Sequence, residues 1–260
     1  DLNIVPCMMS KLQFEKYQEA LAGEKAQDRF RQQGQDEDKP FHYHTRTRQA
    51  CNIVFRKDEF RTTKKRDAEA EKVVNDLKQK TYQELLESQM LSRDNDLSEV
   101  SPKMFQILKN MEKFTKDGKP SGKVLFYSDF RADAGSEAFE LVLQSNGYER
   151  FDHKSPQERP GLRYTFITGS EDSEERRINR EYYNNDANKH GEYIQIMIIS
   201  SAGAEGISLT CVRQVHILEP YWNYVRVDQV LGRAIIKESH IDLPENMRNV
   251  DKFIYLATYP

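Results

Sequence analysis

The sequence has little of what marks a membrane or a secreted protein. It contains no apolar run long enough to span a bilayer and no signal-peptide pattern at its start. Its three cysteines, Cys7, Cys51 and Cys211, are far apart and odd in number, which is typical of reduced thiols rather than of a disulfide framework. We therefore expect a soluble protein of the cytoplasm or nucleus with no membrane partner.

Several catalytic signatures are absent as well. The sequence has no G-x-x-x-x-G-K-[ST] phosphate loop and no Asp-Glu-x-His-type run, so it lacks the usual groups that hold nucleotide phosphates and magnesium. No Ser-His-Asp order or carboxylate pair stands out at a spacing typical of a hydrolase. His42 and His44 lie near Cys51, but a structural zinc site needs four ligands and the fourth is missing. We expect no metal site within this chain.

Charge is abundant but nearly balanced. The chain of 260 residues has 39 Lys and Arg against 42 Asp and Glu, a net charge of -3. Such a balance gives no general attraction to nucleic-acid phosphates, although a single cleft can still be basic. Residues 61–100 are mostly polar, whereas residues 123–128 and 194–199 are apolar runs. This contrast favours a compact C-terminal domain that follows a charged helical region.

The N-terminal part predicts separate short elements. Residues 1–10 are apolar enough for a strand, and Ser10 is placed to cap a helix over residues 11–24. Residues 31–40 form a polar break with Gly and Pro. Residues 62–92 have helical charge spacing and a thin apolar stripe, which fits either a solvated helix or an arm that contacts a partner or DNA.

The C-terminal part alternates strand and helix patterns. Ser101 as N-cap and Pro102 at the first helical position begin a helix, and Gly118 sits where its C-terminal cap belongs. Strands are predicted over residues 123–130, 163–169, 193–201, 212–220 and 252–258, and helices over residues 135–147, 171–187, 203–209 and 225–235. Such alternation predicts a mostly parallel sheet flanked by helices, with ligands at the carboxyl ends of its strands.

Residues 200–240 are the most informative stretch. They read as a strand, a loop with two glycines three residues apart, a helix, a second strand, and a helix with Gln229-x-x-Gly232-Arg233. A glycine turn into a helix N-terminus exposes N–H groups that favour a phosphate. This order resembles motifs V and VI of superfamily 2 helicases and translocases. It is most similar to the Swi/Snf-related NTPases of large cytoplasmic DNA viruses, whose transcription enzymes show similar GISL, VHIL-P-WN and Q-x-x-GRA runs.

The resemblance implies an α/β fold in which residues 119–260 form a RecA-like C-terminal helicase lobe. Residues 1–118 would form an interlobe linker and charged helical region, because a similar Arg-Gln-x-x-Asn run joins the two lobes in that family. The implied activity is ATP-dependent movement on DNA or RNA, in transcription or genome processing. The implied partners are the nucleic acid, the missing first lobe and transcription machinery. The implied location is the virus factory, the virion or the nucleus.

The resemblance also implies residue roles. ATP would contact Glu205, Gly206, Gly232 and Arg233, and Gln229 and Arg233 would be catalytic, with Arg233 as an arginine finger. The magnesium ligands would come from outside this chain. The nucleic acid would contact Ser128, Thr168, Gly169, Ser200, Ser201, Gly203 and Trp222.

Some of these residues have a plain structural interpretation too. Ser128 lies where a simple strand-to-helix turn would look the same, and Thr168-Gly169-Ser170 fits a simple helix cap in which Ser170 caps the next helix. Trp222, the single tryptophan, is either a core anchor or a wedge near the nucleic acid. His216 lies in a predicted buried strand, where a histidine with satisfied hydrogen bonds is expected.

The sequence departs from the family at position 236. The family pattern Q-x-x-G-R-x-x-R has a second arginine where this chain has Ile236, with Lys237 beside it. Lysine does not present the planar fork of a guanidinium. Either hydrolysis is weak, or Lys237 compensates in part, or the residue at position 236 was changed or misassigned. The departure supports an alternative function, a non-catalytic nucleic-acid or protein-binding module that keeps the helicase fold. A phosphate-loop lysine and an acidic run upstream of Asp1 would decide against that alternative.

Overall fold

A computed structural model describes most of the chain. The described residues are 2–33, 44–56, 68–132, 134–155, 160–169, 171–200, 207–220, 228–232 and 238–260, without the side chains of residues 29–33 and 68–77. The catalytic and loop residues predicted at positions 201–206, 222, 233 and 236 therefore lie outside the described residues.

The centre of the fold is a seven-stranded sheet in which every described pair of neighbouring strands is parallel. Its strands are β1 (Leu2–Met8), β4 (Lys123–Tyr127), β5 (Glu149–Arg150), β6 (Arg163–Ile167), β7 (Ile196–Ile199), β8 (Val212–Ile217) and β9 (Asp251–Thr258). They are ordered β1-β9-β8-β4-β7-β6-β5. A separate antiparallel hairpin consists of β2 (Thr115–Lys116) and β3 (Lys119–Pro120). The predicted α/β class with a mostly parallel sheet is confirmed.

Helices flank this sheet. They are α1 (Lys11–Gln33), α2 (Thr45–Ala50), α3 (Ala68–Ser88), α4 (Leu97–Val100), α5 (Pro102–Met111), α6 (Ser136–Ser145) and α7 (Ser173–Asn184). Residues 228–232 are also helical, within the helix predicted over residues 225–235. Of the helix predicted over residues 203–209, residues 207–209 are not helical and the rest lies outside the described residues. None of the described helices is long and apolar enough to cross a membrane.

Alternating side chains of the central strand β4 build a core on each side of the sheet. Val124 and Phe126 pack into one buried cluster, where the Phe126 ring stacks on Phe139 of α6 with centroids 3.9 Å apart. Leu125 and Tyr127 pack into the other cluster. Because both faces of the sheet are covered, β7 and, after Lys123, β4 are continuous apolar runs. This explains why the sequence shows runs there rather than polar and apolar alternation.

The N-terminal part contributes to the same sheet and core. β1 pairs in parallel with β9 from Leu2 opposite Lys252 to Met8 opposite Thr258. The side chain of Met104 on α5 is buried in the same cluster as those of the central strands. A division of the chain between residues 118 and 119 stays a prediction, and both the sheet and the core extend across it.

Two predicted helix caps are present. Ser10 Oγ accepts a hydrogen bond from Gln13 N at 2.9 Å, and Ser101 Oγ accepts one from Met104 N at 3.2 Å. The helix after Ser10 is longer than predicted and continues to Gln33, into the break predicted over residues 31–40. The remainder of that break lies outside the described residues.

Gly118 does not cap α5, so this prediction was wrong. The helix ends at Met111 and is followed by a 3-10 turn that ends at Phe114. Gly118 (φ 71°) and Asp117 (φ 52°) instead form the two-residue turn between β2 and β3. Positive φ at both central residues is typical of the type I′ turns that match the twist of a hairpin.

The charged helix α3 is not wholly solvated. Tyr82 Oη donates to Glu137 Oε2 on α6 at 2.9 Å, and Lys78 Nζ bonds the same carboxylate oxygen. Leu85 is buried in the cluster that also contains Phe139. The C-terminal half of α3 is therefore docked on α6, and this contact places it near the carboxyl edge of the sheet.

Candidate nucleic-acid and nucleotide site

Four polar residues follow adjacent strands at the carboxyl edge of the sheet. Ser128 follows β4, Thr168 follows β6, Ser200 follows β7, and Glu219 lies two residues after β8. The strand ends are in register, since Tyr127 lies opposite both Ile199 and Ile217 and Ile167 lies opposite Ile199. This edge is where ligands bind in open parallel sheets.

Ser128 is buried and its hydroxyl has protein acceptors. Its Oγ lies 2.8 Å from Glu219 Oε1 and 2.9 Å from Phe130 O, two acceptors for one proton. The side chain therefore faces into the protein in this structure. A contact between Ser128 and a nucleic-acid phosphate stays a prediction.

Glu219 organises the loop between β4 and α6, and the sequence reasoning missed it. Its Oε1 accepts hydrogen bonds from the N–H groups of Asp129 and Phe130, the latter at 3.2 Å, in addition to the contact with Ser128. Its Oε2 accepts from Asn52 Nδ2 at 3.0 Å. Burial raises the pKa of the Glu219 carboxyl, while the Lys103 charge and these hydrogen bonds act in the opposite direction.

Lys103 and Asn52 complete what we call the Glu219 network, which consists of Asn52, Lys103, Ser128 and Glu219. Lys103 Nζ donates to Asn52 Oδ1 at 3.2 Å and to Leu218 O at 3.0 Å. Burial lowers the pKa of Lys103, and the nearby Glu219 charge opposes this shift. All four side chains belong to buried residues. A buried carboxylate and ammonium are stable in such a place only when each has hydrogen-bond partners.

Thr168 is also buried and engaged locally. Its N–H and its hydroxyl both donate to Glu171 Oε2, at 2.6 and 2.7 Å. The following helix α7 is capped by Asp172, whose side chain accepts from Glu175 N at 2.7 Å. The N-cap of α7 is therefore Asp172 and not Ser170, so the prediction that Ser170 caps this helix was wrong. Gly169 is exposed at the strand end, and its contact with a phosphate chain stays a prediction.

The described helical residues 228–232 divide into a buried and an exposed side. Val230 and Leu231 are buried in the cluster that also contains Leu125 and Tyr127, whereas Gln229 and Gly232 are exposed. A Cβ built on Gly232 would meet no described atom within 4 Å. The packing of the described residues therefore does not require glycine at position 232, and none of the described residues fills the space beside it.

The remaining predicted site residues begin at the end of β7. Ser200 is buried at the end of β7, directly before the loop with the two glycines. The following predicted residues lie outside the described part of the chain: Ser201, Gly203, Glu205, Gly206, Trp222 and Arg233.

Two other expectations concern histidines. His216 is buried as predicted, with Nδ1 2.7 Å from Tyr255 Oη and Nε2 3.0 Å from Gln214 Oε1. Of the proposed His-x-His pair, His44 Nδ1 lies 3.2 Å from Glu24 Oε2, and His42 lies outside the described residues. Within the described residues no group of three or more His, Cys, Asp or Glu side chains could hold a metal ion.

A known domain family and several known proteins are similar to this chain in sequence. The helicase conserved C-terminal domain matches residues 103–235, about half of the chain. A putative ATP-dependent RNA helicase of Acanthamoeba polyphaga mimivirus is 32% identical over 172 residues, which are 64% of this chain and 28% of that protein. A termination factor NPH-I homolog of African swine fever virus is 33% identical over 201 residues, or 65% of this chain and 28% of that protein.

A solved structure agrees on the fold. The C-terminal part of the Fun30 ATPase domain superposes with a TM-score of 0.57 at 15% identity, over 99% of this chain and 84% of that chain. The resemblance carried by residues 200–240 is thus confirmed at the level of the family. The chain belongs to the helicase conserved C-terminal domain family, with the fold of a RecA-like C-terminal lobe.

Proposed function

We propose that this chain is the second RecA-like lobe of an ATP-dependent translocase or helicase that acts on DNA or RNA. One observation carries the proposal: the sheet has the fold of this family, and four of its strands end in register at one edge, each followed by a polar residue. The chain spans about 28% of the length of the two viral relatives, so the motor would need the rest of the protein. Their names support a role in transcription or genome processing of a large DNA virus, in the virus factory, the virion or the nucleus.

ATP would lie between this lobe and the first lobe. The exposed Gln229 and the space beside Gly232, which none of the described residues fills, fit a nucleotide that approaches this helix closely. Glu205 and Gly206 would face the same nucleotide from the loop after β7. Arg233 follows Gly232 directly, and its guanidinium would stabilise the charge on the transferring phosphoryl group.

The magnesium and the phosphate loop are assigned to the rest of the protein. A bound magnesium would neutralise charge on the β- and γ-phosphates. The described residues contain no group of three or more possible metal ligands, and we propose that the magnesium ligands come from outside this chain. We therefore expect this chain alone to show no ATP hydrolysis, and the full protein to show it.

The nucleic-acid backbone would cross the carboxyl edge of the sheet. The loops after β4, β6 and β7 would contact its phosphates, and contacts of this kind position a strand without reading its sequence. The predicted contact residues are Ser128, Thr168, Gly169, Ser200, Ser201, Gly203 and Trp222. Because Ser128 and Thr168 are buried, the exposed Gly169 is the more direct contact in this conformation.

Ile236 favours a second function, a module that binds nucleic acid or protein without hydrolysis. The two functions differ in what Arg233 does. In the full protein, Arg233→Ala should lower nucleic-acid-stimulated hydrolysis by roughly 10³-fold if Arg233 is an arginine finger. Arg177→Ala is the control, since Arg177 lies exposed on α7 and pairs with Glu174 and Glu181. Equal hydrolysis by the parent and the Arg233 variant would show that Arg233 is not an arginine finger, and a full-length parent without hydrolysis would support the non-catalytic module.

Position 236 gives a test in the opposite direction. Ile236→Arg in the full protein restores the second arginine of the family pattern. It should raise nucleic-acid-stimulated hydrolysis by roughly tenfold, below the full effect of an arginine finger. Ile236→Lys is the matched control, because lysine adds the charge without the planar fork. An Ile236→Arg variant no faster than the parent would show that position 236 does not face the nucleotide.

A further inference from the structure

The loop between β4 and α6 is held at both ends by groups from elsewhere in the chain. At its start, Ser128 Oγ, Asp129 N and Phe130 N converge on one oxygen of Glu219. At its end, Ala134 O accepts a hydrogen bond from Asn52 Nδ2 at 3.0 Å. Successive N–H groups that surround an anion fix the backbone they belong to. The conformation of this loop therefore depends on Glu219 and Asn52.

Asn52 joins these two attachments to the segment of residues 44–56. Its Nδ2 donates to both Ala134 O and Glu219 Oε2, and its own carbonyl accepts from Ser101 Oγ at 2.6 Å. Asn52 and Glu219 are 167 residues apart in the chain. A shift of Asn52 relative to β8 would break or move both contacts at once.

A second contact links the same segment to the same loop. The guanidinium of Arg48 on α2 lies 4.9 Å from the centre of the Phe130 ring, and its Nη2 lies 3.8 Å from Asp129 Oδ2. Asp129 and Phe130 are also the two residues whose N–H groups donate to Glu219. The segment thus touches the loop through Arg48 on one side and through Asn52 on the other.

We propose that Asn52 and Glu219 are positioning residues that transmit movement of the segment 44–56 to the loop between β4 and α6. This inference rests on the proposed function, in which the segment joins the two lobes and the loop contacts the nucleic acid. Closure of the lobes on ATP would shift the segment and, through Asn52 and Glu219, the N–H groups of Asp129 and Phe130. In this arrangement Ser128 sets the shape of the loop rather than binding the phosphate itself.

An exchange of the two polar groups tests the proposal in the full protein. Glu219→Gln keeps an acceptor for the loop but places an amide donor opposite Asn52 Nδ2. Asn52→Asp places a second carboxylate opposite Glu219. In the double variant, the amide introduced at position 219 donates to the carboxylate introduced at position 52. One hydrogen bond is therefore restored in the opposite direction, and one negative charge remains near Lys103. The loss of the Asn52 hydrogen bond to Ala134 makes this rescue partial.

The readout is ATP hydrolysis with and without nucleic acid. We expect each single variant to lower the stimulation by about tenfold at unchanged basal hydrolysis, within the range of coupling between two sites. The double variant should regain most of this loss. Tyr255→Phe is the matched control, because it removes a buried hydroxyl from a different network and should leave stimulation unchanged.

The outcomes separate this inference from the proposed function. Parent-like stimulation in both single variants overturns the inference and leaves the proposed function standing. A parallel fall of basal and stimulated hydrolysis also overturns the inference and leaves the proposed function standing, because a purely structural role of Asn52 and Glu219 predicts that result. A full-length parent that shows no stimulation by DNA or by RNA contradicts the proposed function itself, and the inference with it.

Hydrogen exchange of the unaltered protein covers the case in which the variants fail to fold. A non-hydrolysable ATP analogue should change the amide exchange of residues 128–131 together with that of residues 48–54. A change confined to residues 48–54 would overturn the inference, because the segment would then move without the loop.

Discussion

Two buried polar networks lie along and just after β8, and they differ in charge and in the parts of the chain that they connect. The Glu219 network lies just past the carboxyl end of β8, contains an acid and a lysine, and reaches the distant Asn52. The second, which we call the His216 network, consists of Asn110, Gln214, His216 and Tyr255. It lies in the middle of β8 and β9 and has no group that is charged at neutral pH. Burial lowers the pKa of His216 to about 3, so its ring is neutral.

The His216 network is a closed ring of matched donors and acceptors. Asn110 Nδ2 donates to Tyr255 Oη at 2.8 Å, and Tyr255 Oη lies 2.7 Å from His216 Nδ1. His216 Nε2 lies 3.0 Å from Gln214 Oε1, and Gln214 Nε2 donates back to Asn110 O at 3.0 Å. This pattern requires the proton of His216 on Nε2. Every group is paired within α5, β8 and β9, so the ring fixes α5 on the sheet.

The difference separates a structural network from one suited to function. A closed neutral ring offers nothing to a ligand and changes little unless the fold opens. A buried acid and a buried lysine are often no more stabilising than apolar residues of the same size, so the presence of these two groups needs a further reason. The contacts of the Glu219 network with two loops and the segment 44–56 supply that reason.

The largest expected effect on stability comes from removing the central acid. Glu219→Ala removes the acceptor of four donors and a negative charge near the buried Lys103. It should lower the free energy of unfolding by about 3–5 kcal/mol. Urea denaturation of this chain measures the change, and Glu181→Ala on α7 is the control, since that side chain is 56% exposed. A loss no larger than that of the control would mean that water replaces Glu219 without cost.

The two networks should respond to acid in opposite directions. The folded-state pKa of His216 lies far below its ordinary 6.5, so the unfolded chain binds its proton first. Its contribution to stability is complete above pH 6.5 and falls by about 2 kcal/mol as the pH drops to 5. Glu219 has a raised pKa, so the folded state binds its proton first and gains relative stability as the pH falls.

Unfolding measured from pH 7 to pH 5 separates these contributions. His216→Gln should flatten the loss of stability over this range, and Glu219→Gln should remove the relative gain in stability that Glu219 contributes as the pH falls. His153→Gln is the control for the histidine, because His153 is partly exposed and lies outside both networks. An unchanged slope in His216→Gln would show that this ring titrates normally.

Local patterns in the sequence predicted the His216 network better than the Glu219 network. The alternation of strands and helices predicted the lobe, and burial of His216 followed from its place in an apolar strand. Glu219 gave no such signal, because its importance depends on Asn52, 167 residues away. The prediction for Gly118 was wrong for a similar reason. A glycine after a helix fits either a helix cap or a hairpin turn, and only the pairing of β2 with β3 identifies the turn. Patterns of period 3.6 and 2 report burial, and they carry no information on which distant polar groups meet.

The smallest effect should come from opening the neutral ring. Tyr255→Phe removes the hydroxyl that accepts from Asn110 and faces His216, and leaves both groups buried without that partner. We expect a loss of about 1–2 kcal/mol in the free energy of unfolding. Because the ring lies away from the loop between β4 and α6, nucleic-acid-stimulated hydrolysis by the full protein should stay at the parent value. Thermal unfolding and hydrolysis, measured on the same preparation, check both parts. A stable variant that has lost stimulation would place the His216 network in the coupling as well, and the contrast between the two networks would fail.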